Sequence, residues 1–176
     1  MTNSMHSRVS RRPLALAIAA ALLCACVGVT ALAVSRARRP VVAQRAPLPH
    51  LTYQVGARSL MLTTRGRPLL VVFYSRDCGH CEYTLDMLEA SSDSLSDVDA
   101  VFLTAGLSDS ASASRRWPRL REGGARTWGR VTYDEWRGAT GMAMTPSILV
   151  VDRHGRISRA YQGEVGASAL VRALHT

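Results

Sequence analysis

The residues of this 176-residue chain best equipped for chemistry are two cysteines three positions apart, in Cys78-Gly79-His80-Cys81. They sit where the sequence changes period. Leu69-Leu70-Val71-Val72-Phe73-Tyr74 is an unbroken apolar run rich in β-branched and aromatic residues, the pattern of a strand buried on both faces, and helical spacing takes over at the cysteines. A sulfur on the first turn of a helix faces unpaired backbone N–H groups and the positive end of the macrodipole, both of which favour thiolate over thiol. Cys78 is therefore read as the nucleophile. Cys81, almost one turn further on, is turned inward and lies close enough to exchange electrons with it through a small disulfide ring, which makes it the resolving thiol. Gly79 and His80 separate the sulfurs and are placed to tune the couple, since a protonated His80 adds positive charge beside the thiolate. A structural disulfide and half of a zinc site are the competing readings. Zinc needs two more ligands at comparable spacing, and the chain has no second CxxC and no HxxxH pair.

Strand, cysteine pair and helix in this order resemble the active-site segment of the thioredoxin superfamily, and Gly79-His80 is the dipeptide also found in protein disulfide isomerases. A second motif agrees with the first. Gly141-Met142-Ala143-Met144-Thr145-Pro146-Ser147, followed by Ile148-Leu149-Val150-Val151-Asp152, resembles the cis-proline loop that faces the cysteines in that superfamily. The continuation Arg153-His154-Gly155-Arg156-Ile157 resembles the TlpA-like thioredoxins of the bacterial envelope, where an aspartate and a glycine close the turn and an N-terminal anchor is usual.

The resemblance implies a thioredoxin-like α/β fold, a central mixed sheet flanked by helices. It also implies a redox-active Cys78–Cys81 disulfide needing no cofactor and no metal, and a cis Thr145–Pro146 bond against the pair. Thr145 and Pro146 are then the substrate-binding residues, Thr145 offering its N–H and C=O to an extended client segment by strand addition. Two departures stand out. Val72 occupies the position of the buried carboxylate that handles the second thiol's proton in cytosolic thioredoxins, and Asp77 replaces the tryptophan usual before the first cysteine. Proton transfer at Cys81 falls to water, Glu164, Glu82 or another group that the sequence does not place. The negative charge of Asp77 opposes the effect of the helix and His80 on Cys78.

The elements that must position these groups are readable in outline. A short leading strand is expected within Leu51 to Leu62, with Ser59 to Leu62 its best candidate, and the helix after Cys78 runs to about Ala90 with Cys81, Leu85 and Leu88 inward. Val98 to Thr104 alternates and gives the next, parallel strand. A helix capped by Ser108 and interrupted at Pro118 is expected to end at Gly123-Gly124, followed by a short strand near Arg130 to Tyr133 and a brief helix to Gly141. Ser147 to Asp152 and Ile157 to Gln162 form a hairpin, and a last helix from Ala167 to His175 turns Leu170, Val171 and Leu174 inward. Trp117, Trp128 and Trp136 read as packing residues, with a partner-binding surface as the competing reading.

Outside this domain the sequence divides into a tail at 1–12, an apolar segment at 13–34 and a tether at 35–58, leaving the thioredoxin-like domain at 59–176. Pro13 to Val34 carries no charge, and its length of roughly 33 Å spans a hydrocarbon core of about 30 Å, so it is read as a single transmembrane helix contacting lipid. Cleavage after Ala31-Leu32-Ala33, or lipidation at Cys24 or Cys26, is the alternative. Net charge is +9, but seven arginines and no acids precede residue 46, while fifteen arginines meet thirteen acids after it. Basic charge therefore flanks the apolar segment without forming a nucleic-acid-binding face. The combined expectation is a membrane-tethered thiol-disulfide oxidoreductase of the bacterial inner membrane, single-pass, with its catalytic domain in the periplasm or other extracytoplasmic space. It would reduce disulfides of client proteins and be recharged by an upstream membrane redox partner. Alternatives are a disulfide oxidase or isomerase, or a copper-handling protein in which Met142 or Met144 joins the two thiolates.

Overall fold

The computed structural model describes residues 45–105, 115–122 and 125–175. The anchor expected at 13–34 and the start of the helix expected from Ser108 lie outside the described residues. Among the described residues no helix is long and apolar enough to cross a membrane.

The central strand β3 (Leu69–Tyr74) is buried at all six positions. Its pleat sends Leu70, Val72 and Tyr74 into one core and Leu69, Val71 and Phe73 into another, on opposite faces of the sheet. This two-sided burial is why the run is apolar without alternation, each fully buried side chain of this kind stabilising the fold by about 1.5–3 kcal/mol. β4 (Asp99–Ala105) lies parallel to β3, and β5 (Arg126–Val131) parallel to β4. On the other flank β6 (Ser147–Val151) runs antiparallel to β3, and β7 (Ile157–Gln162) antiparallel to β6. With β1 (Thr52–Val55) and β2 (Arg58–Met61) the order is β2-β1-β5-β4-β3-β6-β7. A mixed α/β sheet of the expected class results.

Helix α1 (Gly79–Ala90) lays Cys81, Thr84, Leu85 and Leu88 on the Val72 side of the sheet, a spacing that makes one helical stripe. The short α2 (Pro118–Arg121) and the C-terminal α4 (Ala167–Leu174) contribute Leu120 and Leu170 to the same core. α3 (Tyr133–Thr140) covers the Phe73 side with Trp136. Its start is fixed by a capping box: Thr132 Oγ1 accepts from the Glu135 N–H at 3.2 Å and the Thr132 N–H donates to Glu135 Oε2 at 2.9 Å. Its end is Gly141, whose φ of 71° suits a residue without a Cβ.

Several expectations need correcting. The leading segment forms two strands, because Gly56 at φ 58° turns the chain back and β1 then pairs with both β2 and β5. The expected tether at 35–58 is shorter than the sequence suggests: β1 lies within it, and Arg45 and Leu48 donate their N–H groups to Ile157 O and Gly155 O, both at 2.8 Å. β5 begins at Arg126, earlier than expected, and Tyr133 opens α3 instead of closing the strand. The shift follows from contacts that periodicity does not register. Trp128 stacks on Phe102 at 4.3 Å, and β1 approaches Gly129 so closely that a Cβ there would lie 2.6 Å from the Tyr53 ring. In α4, Ala173 is buried with Leu170 and Leu174, while Val171 is only partly covered.

Candidate active site

The site is built where β3 ends. Ser75, Arg76 and Asp77 lead out of the sheet, and Cys78 becomes the N-cap of α1 with extended backbone, φ −130° and ψ 101°. Its sulfur takes the place of a capping oxygen and accepts the Cys81 N–H at 3.2 Å. Cys78 is bonded to Cys81, with their Cα atoms 5.2 Å apart. The two sulfurs differ in environment. Cys81 is 1% exposed within the core beneath α1, whereas Cys78 is only partly buried.

Sixty-seven residues further along the chain, the Thr145–Pro146 loop closes over Cys78. That peptide bond is cis. The carbonyl oxygen and the hydroxyl oxygen of Thr145 each lie 3.8 Å from Cys78 Sγ. The loop is tied down by the Gly163 N–H, which donates to Pro146 O at 2.8 Å, and by the Ser147 hydroxyl, which donates to Met144 O. The structure thus brings Cys78, Cys81 and Thr145 together, with Pro146 adjacent. Gly79 opens the helix with no atom near the place a Cβ would occupy.

His80 points away from this centre to the rim, where its Nδ1 pairs with Glu164 Oε1 although both side chains are largely exposed. Glu82 is likewise engaged, accepting two hydrogen bonds from Arg116 at 2.6 and 3.2 Å. Those bonds push the Arg116 guanidinium above its usual range, and the same group lies 5.1 Å over the Trp117 ring. Both carboxylates named as proton carriers for Cys81 are therefore engaged elsewhere, Glu164 by the His80 imidazole and Glu82 by the Arg116 guanidinium. Val72 is fully buried and offers no acid beneath the disulfide. The phenol of Tyr74 cannot serve as a base near neutrality, because burial pushes it up to about 12 against the opposing effect of the neighbouring Thr104 hydroxyl.

A cleft of about 200 Å³ borders the cysteine loop, walled by Tyr74, Asp77, Glu82, Leu85, Arg116 and Trp117. The tryptophans themselves are core. Trp117 stacks on Trp128 at 6.0 Å and Trp136 on Phe73 at 4.8 Å, which leaves no three-tryptophan surface for a partner. Met142 is 1% exposed and packs beneath α3, so it is not free to join the sulfurs, whereas Met144 is 58% exposed. Among the described residues no cluster of three or more His, Cys, Asp or Glu side chains forms a metal site.

Sequence reasoning missed one residue of this constellation. Tyr133 donates its hydroxyl to Thr145 Oγ1 at 3.2 Å. No local pattern marks it, because its partner lies twelve residues away across a helix and a loop.

A family model described as a thioredoxin-like domain matches residues 61–176. No curated sequence matches the chain significantly. Among solved structures, StoA from Bacillus subtilis is 14% identical with a TM-score of 0.52, over 73% of this chain and 98% of that one. A thio-disulfide isomerase from Thermus thermophilus is 18% identical with a TM-score of 0.58, over 76% and 96%. A DsbF homologue from Corynebacterium diphtheriae is 15% identical with a TM-score of 0.55, over 74% and 86%. At these identities the likeness concerns the fold.

Proposed function

From the premise that this chain belongs to the thioredoxin-like domain family and matches thiol-disulfide oxidoreductases and isomerases, we propose that it is a membrane-tethered, TlpA-like reductase of client disulfides in the bacterial envelope. The observation that carries the chemistry is the asymmetry of the pair. Cys78 is reachable and caps a helix whose Cys81 N–H donates to its sulfur, while Cys81 is shielded.

In the reduced protein the Cys78 thiolate attacks one sulfur of a client disulfide. A mixed disulfide forms, and the other client sulfur leaves as a thiolate that takes a proton from water. Cys81 then loses its proton to water and attacks Cys78 Sγ, releasing the second client thiolate and forming the Cys78–Cys81 disulfide. Two electrons have passed to the client. An upstream dithiol of the membrane restores the pair by the same exchange in reverse. Thr145, beside Cys78, is placed to hold the client main chain during the attack.

Tethering rests on the charge-free run at 13–34, and the extracytoplasmic location on the usefulness of such chemistry where protein disulfides persist. The decisive test is trapping in the full chain. Cys81→Ser should accumulate mixed disulfides with clients and Cys78→Ser should not; equal trapping would remove the assignment of roles. An alkaline phosphatase fused to the C-terminus should be active, and an inactive fusion would reverse the topology.

A further inference from the structure

Resting on this thiol-disulfide reading, we propose that Tyr133 is a positioning residue for the nucleophile: its hydroxyl orients the Thr145 hydroxyl so that Thr145 donates to Cys78 Sγ when that sulfur is a thiolate. The chain of contacts is direct. Tyr133 Oη donates to Thr145 Oγ1 at 3.2 Å, and Thr145 Oγ1 donates to Cys78 Sγ at 3.8 Å. A threonine hydroxyl has a single proton and rotates to suit its surroundings. With a donor occupying a lone pair of Oγ1, the proton is left to point at the sulfur, and a hydroxyl that accepts one bond donates the next more strongly.

Tyr133 is itself held in place by the fold. It is the first residue of α3, behind the Thr132–Glu135 capping box, and its ring meets Phe73 edge-on at 5.1 Å. Phenylalanine would keep that ring contact. The hydroxyl is the part of the side chain the packing does not use.

The other groups around Cys78 Sγ act separately. From α1 comes the Cys81 N–H at 3.2 Å; from the loop before β6 comes the Thr145 carbonyl at 3.8 Å, which opposes negative charge on sulfur. Asp77 is its chain neighbour, and His80 with Glu164 stands on the rim. Tyr133 acts through Thr145, so removing the Thr145 hydroxyl should erase its influence.

The test is a double-mutant cycle on the full chain, using Tyr133→Phe, Thr145→Val and the pair. Each protein is equilibrated at neutral pH with glutathione mixtures, in which two glutathione thiols supply two electrons and become glutathione disulfide. Thiolate formation by reduced Cys78 is followed by ultraviolet absorbance. Tyr133→Phe should shift the equilibrium about threefold toward the protein disulfide, or about 14 mV for a two-electron couple, and raise the thiolate midpoint by about half a pH unit. In the Thr145→Val background the same change should shift neither. An unmoved potential in the otherwise native chain, or an equal shift in both backgrounds, overturns the proposal. Because the readout is an equilibrium, a chain that fails to reduce any client would overturn the functional reading while leaving this coupling measurable.

Discussion

The two ends of β3 handle polar groups in opposite ways. At the Leu69 end, the charges of Arg126 and Asp99 are taken into the protein, with Arg67 closing over them from the surface. The Arg126 guanidinium donates to Leu95 O at 2.5 Å and Val98 O at 2.9 Å, and Arg67 donates to Ser96 O and Asp97 O at 3.0 Å each. Asp99, 6% exposed, lies between them; its 3.8 Å approach to Arg67 is too long for a hydrogen bond and acts through charge alone. Burial pushes Arg126 below its ordinary range, with the Asp99 carboxylate opposing. At the Tyr74 end the side-chain pairs, His80 with Glu164 and Glu82 with Arg116, stay on the exposed rim. The partly buried group there is a sulfur, met by one backbone N–H and by the hydroxyl and carbonyl of Thr145. One end uses polar groups to close the fold over backbone carbonyls. The other keeps its strongest charges at the margin and gives the reactive atom weak, directional partners, which can follow its change from disulfide to thiolate.

The comparison breaks most visibly at the sulfur. Cys78→Ser should lower catalysed disulfide exchange on the order of 10³-fold or more, since the attacking atom is lost. An insulin-reduction assay on the full chain checks this, and surviving activity would move the nucleophile elsewhere. At the opposite end Arg126→Leu should do the reverse. It leaves the carbonyls of Leu95 and Val98 without their donor, a loss of about 2 kcal/mol or more read by urea unfolding, with exchange activity per folded molecule unchanged. A fall in activity without a fall in stability would mean the two ends are not separate.

The smallest effect sharpens the boundary between them. The Glu135 carboxyl is held below its ordinary 4.5 by the Thr132 hydroxyl and then by the Thr132 N–H. A depressed carboxyl contributes stability that is fully present above 4.5 and is lost as pH falls through its folded value. The difference in Tm between the native chain and Glu135→Gln should therefore be largest near neutrality and shrink in acid. A difference that grows on acidification would contradict the capping role. Thr132→Ala should cost about 1 kcal/mol at neutral pH, the usual value of such a cap.

Much of this was legible because it is local. The apolar run of β3 declares burial on both faces, and Cys78 at its end announces a helix N-terminus within a few residues. Asp152 and Gly155 mark the β6–β7 turn, where Asp152 Oδ1 accepts the N–H groups of His154 and Arg156 at 2.8 and 2.9 Å. The enzyme class expected from those motifs is the class that the family match supports. The edge of the sheet was harder. The sequence around Tyr53 and Gly129 has no periodicity that reveals β1 lying against β5, since that contact depends on a missing side chain meeting a ring seventy-odd residues away.

By itself, then, the sequence determined the cysteine pair, its helix and the hairpin, because each is written in the spacing of neighbouring residues and in backbone preferences that act over a turn or less, and the proline loop was legible through the resemblance of its motif to a known family. Tertiary structure alone decided that Tyr133 reaches Thr145 and that Glu164 takes His80, and it gave the expected approach of Thr145 to Cys78 its distance. The pairs Cys78–Thr145 and His80–Glu164 are separated by 67 and 84 residues. Which side chains meet across such distances is fixed by the register of β3 against β4 and β6, where a shift of one residue would turn every side chain to the other face.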